Sequence, residues 1–467
     1  MLTDRRSGEP GAGAGSGCAT VPPAGAGPAA ARAAADACVH CGFCLPACPT
    51  WRSWGEEMDS PRGRIDLFRA LEDGRLRVSP AVAEHFDRCL GCMACVPACP
   101  SGVRYDRVIE AARARVEREH PREPVDRLHR ALVFALFPHP GRLRVAAVLL
   151  WLFRITGLSR LVRLLGLLRF SRRLAQLDAL APPVRLRDAF ARLPTCSPAR
   201  GERRLRVGLV AGCVQRVFFP GVNAATVRVC SAEGVEVVVP PGQGCCGALS
   251  LHAGREEEAR RLAEALMERF EREELDAVVV NAAGCGSHLK QLGDLFRDDP
   301  QLGRRARAFA AKVRDATELL DALPPRAPRA PLRVRVAYHS PCHMGHAQGL
   351  SLEPRRLLQS IPGLELVEIP DGEQCCGSAG IYNLVQPESA EEIGRRKADA
   401  IASTGAVLVA SANPGCTLHV GRILAERGAR IAWAHPIELL DRAIRAAEAT
   451  EVTAGAPSPP RSGGREG

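Results

Sequence analysis

"CVHCGFCLPACP", residues 38–49, has the same cysteine spacing as "CLGCMACVPACP", residues 89–100. Together the two stretches hold eight of the chain's 19 cysteines, and each ends in Cys-Pro. In such a Cys-x2-Cys-x2-Cys-x3-Cys-Pro run, three thiolates hold one [4Fe–4S] cube and the fourth crosses to the other cube. The predicted ligands of cluster 1 are therefore Cys38, Cys41, Cys44 and Cys99, and those of cluster 2 are Cys89, Cys92, Cys95 and Cys48.

Zinc is the alternative for paired cysteines, but a closed tetrahedral zinc site would leave part of each run unused. The gap between the runs contains "SPRGRIDLFRALEDG", residues 60–74. Ser60 can cap a helix there, Pro61 suits its first turn and Gly74 can end it. A helix in this gap favours a helical ferredoxin-type domain over the small β-rich kind.

From Leu205 onward, short β-branched runs alternate with helical segments, which is typical of α/β units around a parallel sheet. This half repeats: "RVGLVAGC" matches "VRVAYHSPC", and "AVVVNAAGC" matches "AVLVASANPGC". The predicted fold is α+β and multidomain, with a helical ferredoxin-type domain followed by two duplicated α/β lobes. The predicted divisions are a disordered tail at 1–36, a dicluster domain at 37–120, a helical basic connector at 121–200, lobe 1 at 201–325, lobe 2 at 331–447 and a second disordered tail at 448–467.

Each lobe carries one cysteine, then a Cys-Cys-Gly motif, then another cysteine, at nearly the same spacing. Each cysteine follows a predicted strand, where ligands of parallel α/β folds gather, and the glycine allows a tight turn. Core cysteines and one vicinal disulfide per lobe are the alternatives, whereas metal or cluster ligation is favoured. The predicted ligands are Cys213, Cys245, Cys246 and Cys285 in lobe 1, and Cys342, Cys375, Cys376 and Cys416 in lobe 2.

The chain has a formal charge of +11, but its arginines are scattered and no nucleic-acid-binding motif accompanies them. The N-terminal residues contain no apolar signal-peptide region, so a cytoplasmic location is expected.

Residues 145–170 are apolar with interspersed arginines and lack the roughly 20-residue uncharged run that spans a bilayer. They either pack on a core, or lie on anionic lipid at the inner face of the cell membrane or on a membrane-bound partner.

"SPRGRI" at 60–65, "DRCLGCMACVPACPSGVRY" at 87–105, "GCCGALSLHAG" at 244–254 and "CCGSAGIYNL" at 375–384 resemble the glycolate oxidase iron–sulfur subunit family. The resemblance covers about residues 37–445. It implies an electron-transfer subunit whose FAD-binding partner oxidises glycolate to glyoxylate, with electrons passing through the [4Fe–4S] clusters to a quinone or another acceptor. No GxGxxG opens a strand–turn–helix unit, so we expect neither FAD nor NAD in this chain. The equivalent subunit of a lactate or glycerol-3-phosphate dehydrogenase, and a heterodisulfide-reductase-type enzyme, are the alternatives.

His288 and His419 stand where the fuller family pattern has a final cysteine, so each is either a ligand or a local structural residue. The lobes could accordingly hold a cubane, a non-cubane cluster or another metal, or one lobe could hold nothing. Arg62 and Arg64 are expected beside the clusters, where guanidinium groups moderate the negative charge of the thiolates. Their alternative role is surface pairing with Glu56 or Glu57. His252, His339 and His343, close to the lobe motifs, could donate to sulfur or relay protons.

Overall fold

The computed structural model describes residues 27–166, 178–182 and 184–454. Up to residue 189, the regular structure of these residues is helical, which confirms the predicted helical dicluster domain. A 3-10 turn spans Glu57–Asp59. The α-helices are Gly27–Asp36, Pro49–Trp54, Pro61–Glu72, Pro80–Asp87, Tyr105–Glu119, Pro124–Leu136, Pro140–Ile155, Leu158–Leu164 and Leu186–Ala189.

The helix between the two cysteine runs begins and ends as its sequence predicts. Pro61 opens it, and the Ser60 hydroxyl accepts a hydrogen bond from the Gly63 amide at 3.0 Å. Gly74, with a φ of +69°, follows its last turn. Its buried Phe68 belongs to the same core as Ile109 of Tyr105–Glu119, and Cys89 and Cys95 of the second cysteine run are part of this core.

The predictions of disordered tails at 1–36 and 448–467 are wrong for the residues of each tail that adjoin the folded domains. Gly27–Asp36 is a helix whose Ala31 and Ala35 are buried against Tyr105–Glu119 and Pro61–Glu72. Alanine has the highest helix propensity, and its small side chain permits close packing, so this alanine-rich segment folds. At the other end, the last helix continues through 448 to Ala454. Residues 1–26 and 455–467, the rest of both predictions, lie outside the described residues.

Two mainly parallel sheets form the second half of the chain. The strands are β1 Cys196–Ser197, β2 Leu205–Val210, β3 Val235–Val238, β4 Ala277–Val280, β5 Val313–Asp315, β6 Val334–His339, β7 Leu364–Glu368, β8 Leu408–Ser411 and β9 Ala432–Ala434. The first sheet has the order β1-β3-β2-β4-β5, and β1 alone is antiparallel to its neighbour. The second has the order β7-β6-β8-β9 and is parallel throughout.

Apart from β1, the sheets share one strand order, which confirms the predicted duplication. The strand β1 falls within the predicted connector, so the first sheet begins earlier in the chain than the predicted boundary at 201. Helices cover both sheets, and a π-helical turn spans His343–Ala347. The lobe helices are Val214–Phe218, Pro220–Ala232, Ala248–His252, Glu256–Glu271, Ala283–Lys290, Leu292–Leu295, Pro300–Lys312, Ala316–Asp321, Glu353–Gln359, Tyr382–Val385, Pro387–Ala402, Pro414–Glu426 and Pro436–Ala454.

The two lobes share one hydrophobic core. It contains Leu209 from lobe 1 together with Tyr338 and Leu440 from lobe 2, all nearly inaccessible to solvent. Helix Pro220–Ala232 packs against Pro436–Ala454, and Arg228 pairs with both carboxylate oxygens of Asp441 at 2.8 and 2.7 Å. The carboxyl-terminal edges of the sheets are thereby held in a defined relation to each other.

The helices Pro124–Leu136 and Pro140–Ile155 meet at a bend of 107°. Within the described ranges, no single helix has the length and apolar composition of a membrane span, although this bent pair satisfies both criteria when taken together. One face of the second helix packs Leu143 and Ala147 against Val217. Large apolar side chains elsewhere on the pair are exposed, namely Val125, Leu128, Leu132, Val145, Leu149, Leu152 and Ile155.

Candidate metal centres

Two cavities in the dicluster domain are lined by the two predicted cysteine sets. The first also contains Arg62, and the second also contains Arg64. Cys99, from the second run, lines the first cavity, and Cys48, from the first run, lines the second cavity, as the crossed ligand assignment requires. The cysteines of the first cavity are Cys38, Cys41, Cys44, Cys95 and Cys99, and those of the second are Cys48, Cys89, Cys92 and Cys95. This soft thiolate donor set fits iron–sulfur clusters.

The same backbone geometry shapes both cysteine loops. His40 and Gly42 have φ values of +58° and +85°, and the equivalent Gly91 and Met93 have values of +60° to +63°. Left-handed residues on either side of the second cysteine curl each loop around its cavity. The first cavity reaches the surface because Cys41 is exposed, whereas all four predicted ligands of cluster 2 are buried.

Arg64 is fully buried beside the second cavity. Its guanidinium pairs with Asp59 at 3.0 Å and donates to the His85 carbonyl at 2.6 Å and the Thr50 hydroxyl at 3.2 Å. Burial opposes ionisation of Cys89, but the charges of Arg64 and Arg113 prevail and lower the pKa of that thiol. The partner of Arg64 is therefore Asp59, not the Glu56 or Glu57 considered from sequence.

Arg62 combines both of its expected roles. It forms an ion pair with Glu57 at 2.6 Å, and it lines the first cavity with a nitrogen 3.5 Å from the His40 carbonyl. Its charge therefore lies at the rim of the site even while Glu57 partly neutralises it.

Sequence reasoning missed Asp59 and Arg113. The completely buried Asp59 accepts from Arg64, Arg88 and His85, each at 3.0 Å. Arg113 donates to the Cys89 carbonyl and, at 2.9 Å, to the His252 carbonyl of lobe 1. No local motif marks either residue, because, apart from Arg64, their partners are 24 or more residues away along the chain.

In lobe 1, the four motif cysteines gather at the carboxyl ends of β2, β3 and β4. Cys213 Sγ lies 3.6 Å from Cys245 Sγ, Cys245 contacts Cys246, and Cys246 contacts Cys285. All four thiols are free. The contact with Cys245, together with burial, raises the pKa of Cys213. A bound metal would replace the protons of these closely spaced thiols, because a metal binds cysteine as the thiolate.

The lobe 2 cysteines repeat this arrangement with one addition. Cys375 contacts Cys342 and Cys376, and Cys376 contacts Cys416. Cys92 of the second cavity also contacts Cys375, and this contact together with burial raises the pKa of Cys92. Leu90, Ala94 and Tyr382 belong to the buried apolar cluster that surrounds this contact between Cys92 and Cys375. Thiols of the dicluster domain and of lobe 2 are thus direct neighbours.

Curated relatives identify the chain over most of its length. The probable glycolate oxidase iron–sulfur subunit of Bacillus subtilis (strain 168) is 38% identical over 415 residues, covering 88% of this chain and 93% of the relative. The chain belongs to the glycolate oxidase iron–sulfur subunit family. The glycolate oxidase iron–sulfur subunit of Escherichia coli (strain K12) is 32% identical, covering 87% of this chain and 94% of that protein.

Family models agree with this assignment segment by segment. The 4Fe–4S dicluster domain matches residues 34–103, and the cysteine-rich domain matches residues 207–290 and 336–421. The linker region of the glycolate oxidase iron–sulfur subunit matches residues 125–181, which include the bent helix pair from its second residue onward. The lactate utilization protein A of Exiguobacterium sp. (strain ATCC BAA-1283 / AT1b) is 30% identical but covers only 52% of this chain. The lactate-type alternative therefore fits this family member only loosely.

The histidines of this family member differ in their surroundings. His419 Nε2 lies 3.0 Å from the Ala390 carbonyl, and burial lowers its pKa. Burial also lowers the pKa of His288 to about 4, beside the backbone of Cys246. The rings of His252 and His343 meet edge-on at 5.1 Å, and His343 Nε2 lies 2.9 Å from the Gly91 carbonyl. This hydrogen bond ties lobe 2 to the second cysteine loop.

Proposed function

We propose that this chain is the electron-transfer subunit of a flavin-dependent glycolate dehydrogenase complex. The observation that carries the proposal is the contact between Cys92 and Cys375, which joins the dicluster domain to a cysteine-rich lobe. An FAD-binding partner would oxidise glycolate to glyoxylate, releasing two electrons and two protons. Iron–sulfur clusters supply one-electron redox chemistry between such a flavin and a quinone or other acceptor.

The proposed ligands are the sixteen cysteines of the two runs and the two lobe motifs. Each run supplies three ligands of one dicluster site and one ligand of the other, and each lobe supplies its own four cysteines. Arg62 and Arg64 hold positive charge beside the two dicluster sites. The domain divisions predicted from sequence are also proposed, with the corrections at 27–36, 196–197 and 448–454. In the dicluster domain, all four proposed ligands of the second site are buried, whereas Cys41 of the first site is exposed.

The accessible first cavity is the proposed docking point of the flavin-bearing partner. Val39 and Phe43, on either side of Cys41, are 68% and 67% exposed. Apolar side chains around an exposed ligand could seat a partner while keeping the intervening distance short. Electrons would then enter at the surface and leave through the buried thiols toward lobe 2.

A Cys92→Ser substitution tests this function in the assembled complex. We expect glycolate-dependent dye reduction to fall by at least tenfold while the partner's flavin content stays unchanged, because the altered residue links the second cavity to Cys375. The matched control is Cys196→Ser, since Cys196 is exposed on β1 and belongs to neither cysteine motif. Unchanged turnover in the Cys92 variant, with cluster content lost, would contradict the proposal.

We also propose that the chain is cytoplasmic and contacts the anionic inner face of the cell membrane through the bent helix pair. The pair, residues 124–155, contains five arginines and one acidic residue, Asp126, and several of its apolar side chains are exposed. Apolar insertion combined with positive charge is the chemistry of interfacial helices.

Sedimentation with vesicles containing anionic lipid tests this surface. We expect Leu149→Asp, which places a charge on the 60% exposed Leu149, to reduce bound protein severalfold. Val407→Asp is the matched control, since Val407 is 59% exposed in lobe 2. Equal sedimentation of both variants and the unaltered chain would overturn the membrane contact.

A further inference from the structure

One pair of residues distinguishes the two lobes at the ends of their central strands. In lobe 1, Val210 of β2 is paired with Val280 of β4. At the same register in lobe 2, His339 of β6 is paired with Ser411 of β8. Where lobe 1 has two valines, lobe 2 therefore has a polar pair, and one member of that pair is histidine, a common metal ligand.

The imidazole of His339 is held in a fixed orientation. Its Nδ1 lies 3.1 Å from the Ser411 hydroxyl, while its Nε2 is buried without a hydrogen-bond partner. Only 1% of the residue is exposed. A hydrogen bond to one ring nitrogen commonly fixes the tautomer that presents the other nitrogen to a metal, and an unpartnered buried nitrogen otherwise costs stability.

The imidazole of His339 belongs to a compact set of donor groups. His339 supplies one atom, Cys376 and Cys416 supply the others, and all lie within 4.8 Å of one another in the buried interior of lobe 2. Bonds of about 2.3 Å to sulfur and 2.0 Å to nitrogen would place tetrahedral donors roughly 3.5 Å apart. The three atoms are therefore close to the spacing that one metal ion requires.

A neighbouring amide supports one of these thiols. Asn413 Nδ2 donates to Cys416 Sγ at 3.1 Å, and the strand register places Ala282 at the equivalent position of lobe 1. Hydrogen bonds to coordinating sulfur tune the electronic properties of a metal centre. Lobe 2 thus has an orienting hydroxyl and a sulfur-directed side-chain amide at positions where lobe 1 has Val280 and Ala282.

We propose that lobe 2 binds a transition metal through His339 Nε2 together with Cys376 and Cys416, whereas the centre of lobe 1 has thiolate ligands without this histidine. Either Cys342 or Cys375 completes four-coordination. Two metals accept both thiolate and imidazole ligands and therefore fit this site, namely an iron of a cluster and a single Zn²⁺. This inference rests on the proposed metal binding by the lobes and adds its ligand asymmetry.

A lobe 1-like variant provides the test. The double substitution His339→Val with Ser411→Val recreates the pair that lobe 1 already accommodates, and His339→Cys retains a ligand of another kind. His419→Gln is the matched control, because glutamine can keep the hydrogen bond to the Ala390 carbonyl. Each chain, labelled with ¹⁵N-histidine and purified anaerobically, is analysed for iron, zinc and sulfide, and its fold is checked by circular dichroism.

Two readouts separate the possible metals. If lobe 2 holds iron, pulsed EPR should show a ¹⁵N coupling that disappears in the double variant. If it holds Zn²⁺, Co²⁺ added in its place should give tetrahedral absorption bands, which lose intensity or shift in that variant. In both cases we expect His339→Cys to retain the metal and to lose the nitrogen signature.

The proposal is overturned if the folded double variant keeps the unaltered chain's metal content and spectra, or if lobe 2 of the unaltered chain binds no metal. Neither result depends on glycolate turnover. Loss of turnover in the Cys92 variant would still support electron transfer if His339 proved not to be a ligand, so the two proposals fail separately.

Discussion

Gly247 and Gly377 turn the chain directly after the two Cys-Cys pairs. Their φ values are +93° and +85°, and a Cβ atom would lie 2.7 Å from the Ala259 carbonyl oxygen in one case and 2.6 Å from that of Ala390 in the other. Both backbone conformation and space therefore require glycine. The requirement is local, which explains why the sequence pattern identified it correctly.

We expect Gly247→Ala to lower the free energy of unfolding by about 2–4 kcal/mol, because left-handed strain and a backbone clash act together. Thermal unfolding followed by circular dichroism measures the effect. Gly244→Ala is the matched control three residues earlier, where a Cβ would meet no atom within 4 Å. Equal stability of the two variants would show that the turn can relax, contrary to this prediction.

The buried charges around the second cavity show what single-residue reasoning misses. Arg64 was expected near a cluster from its position in the sequence, but its partner Asp59 was not. Arg64, from the helix between the cysteine runs, and His85 and Arg88, from the end of the next helix, all contact that one carboxylate. Such convergence depends on how helices pack, so composition and spacing do not predict it.

At the scale of elements, Gly27–Asp36 shows how packing determines whether a segment folds. Its sequence, GPAAARAAAD, has the composition of a low-complexity tail. Two of its alanines nevertheless complete the core around the cysteine loops. Short helices are marginal in isolation and gain most of their stability from tertiary contacts.

Ala35→Glu should destabilise the dicluster domain by at least about 2 kcal/mol, since it buries a charge where Ala35 has no exposed surface. We expect a lower unfolding temperature and fewer irons per chain after anaerobic purification. Ala33→Glu is the control on the exposed face of the same helix. If both variants kept the unaltered chain's iron content and unfolding temperature, this helix would not support the cluster loops.

At the scale of the whole molecule, the shared core makes the two lobes mechanically dependent on each other. Leu440 is fully buried within it, and its helix packs against a helix of lobe 1. A destabilising substitution in one lobe should consequently lower the stability of the other lobe as well. The hydrogen bond from the Ala283 amide to the Ala412 carbonyl, 3.0 Å long, joins them again near the cysteine sites.

Leu440→Ala should reduce stability by about 2–5 kcal/mol through lost burial and an internal cavity. Hydrogen exchange measures the result, and we expect lower protection in β2 and β4 of lobe 1 as well as in lobe 2. Val407→Ala, at an exposed position, should change neither. Loss of protection confined to lobe 2 would indicate independently folding lobes.

The cysteine runs, the capped helix after Ser60, the alternation of strands and helices, and the duplication were all readable from the sequence. Each depends on local spacing, local backbone preference or repetition, which are properties of neighbouring residues. The Cys92–Cys375 contact, the Asp59 network and the position of His339 beside Cys376 and Cys416 required the tertiary structure. Their partners come from separate strands, loops and domains, and only the packing of helices and sheets brings such distant atoms together.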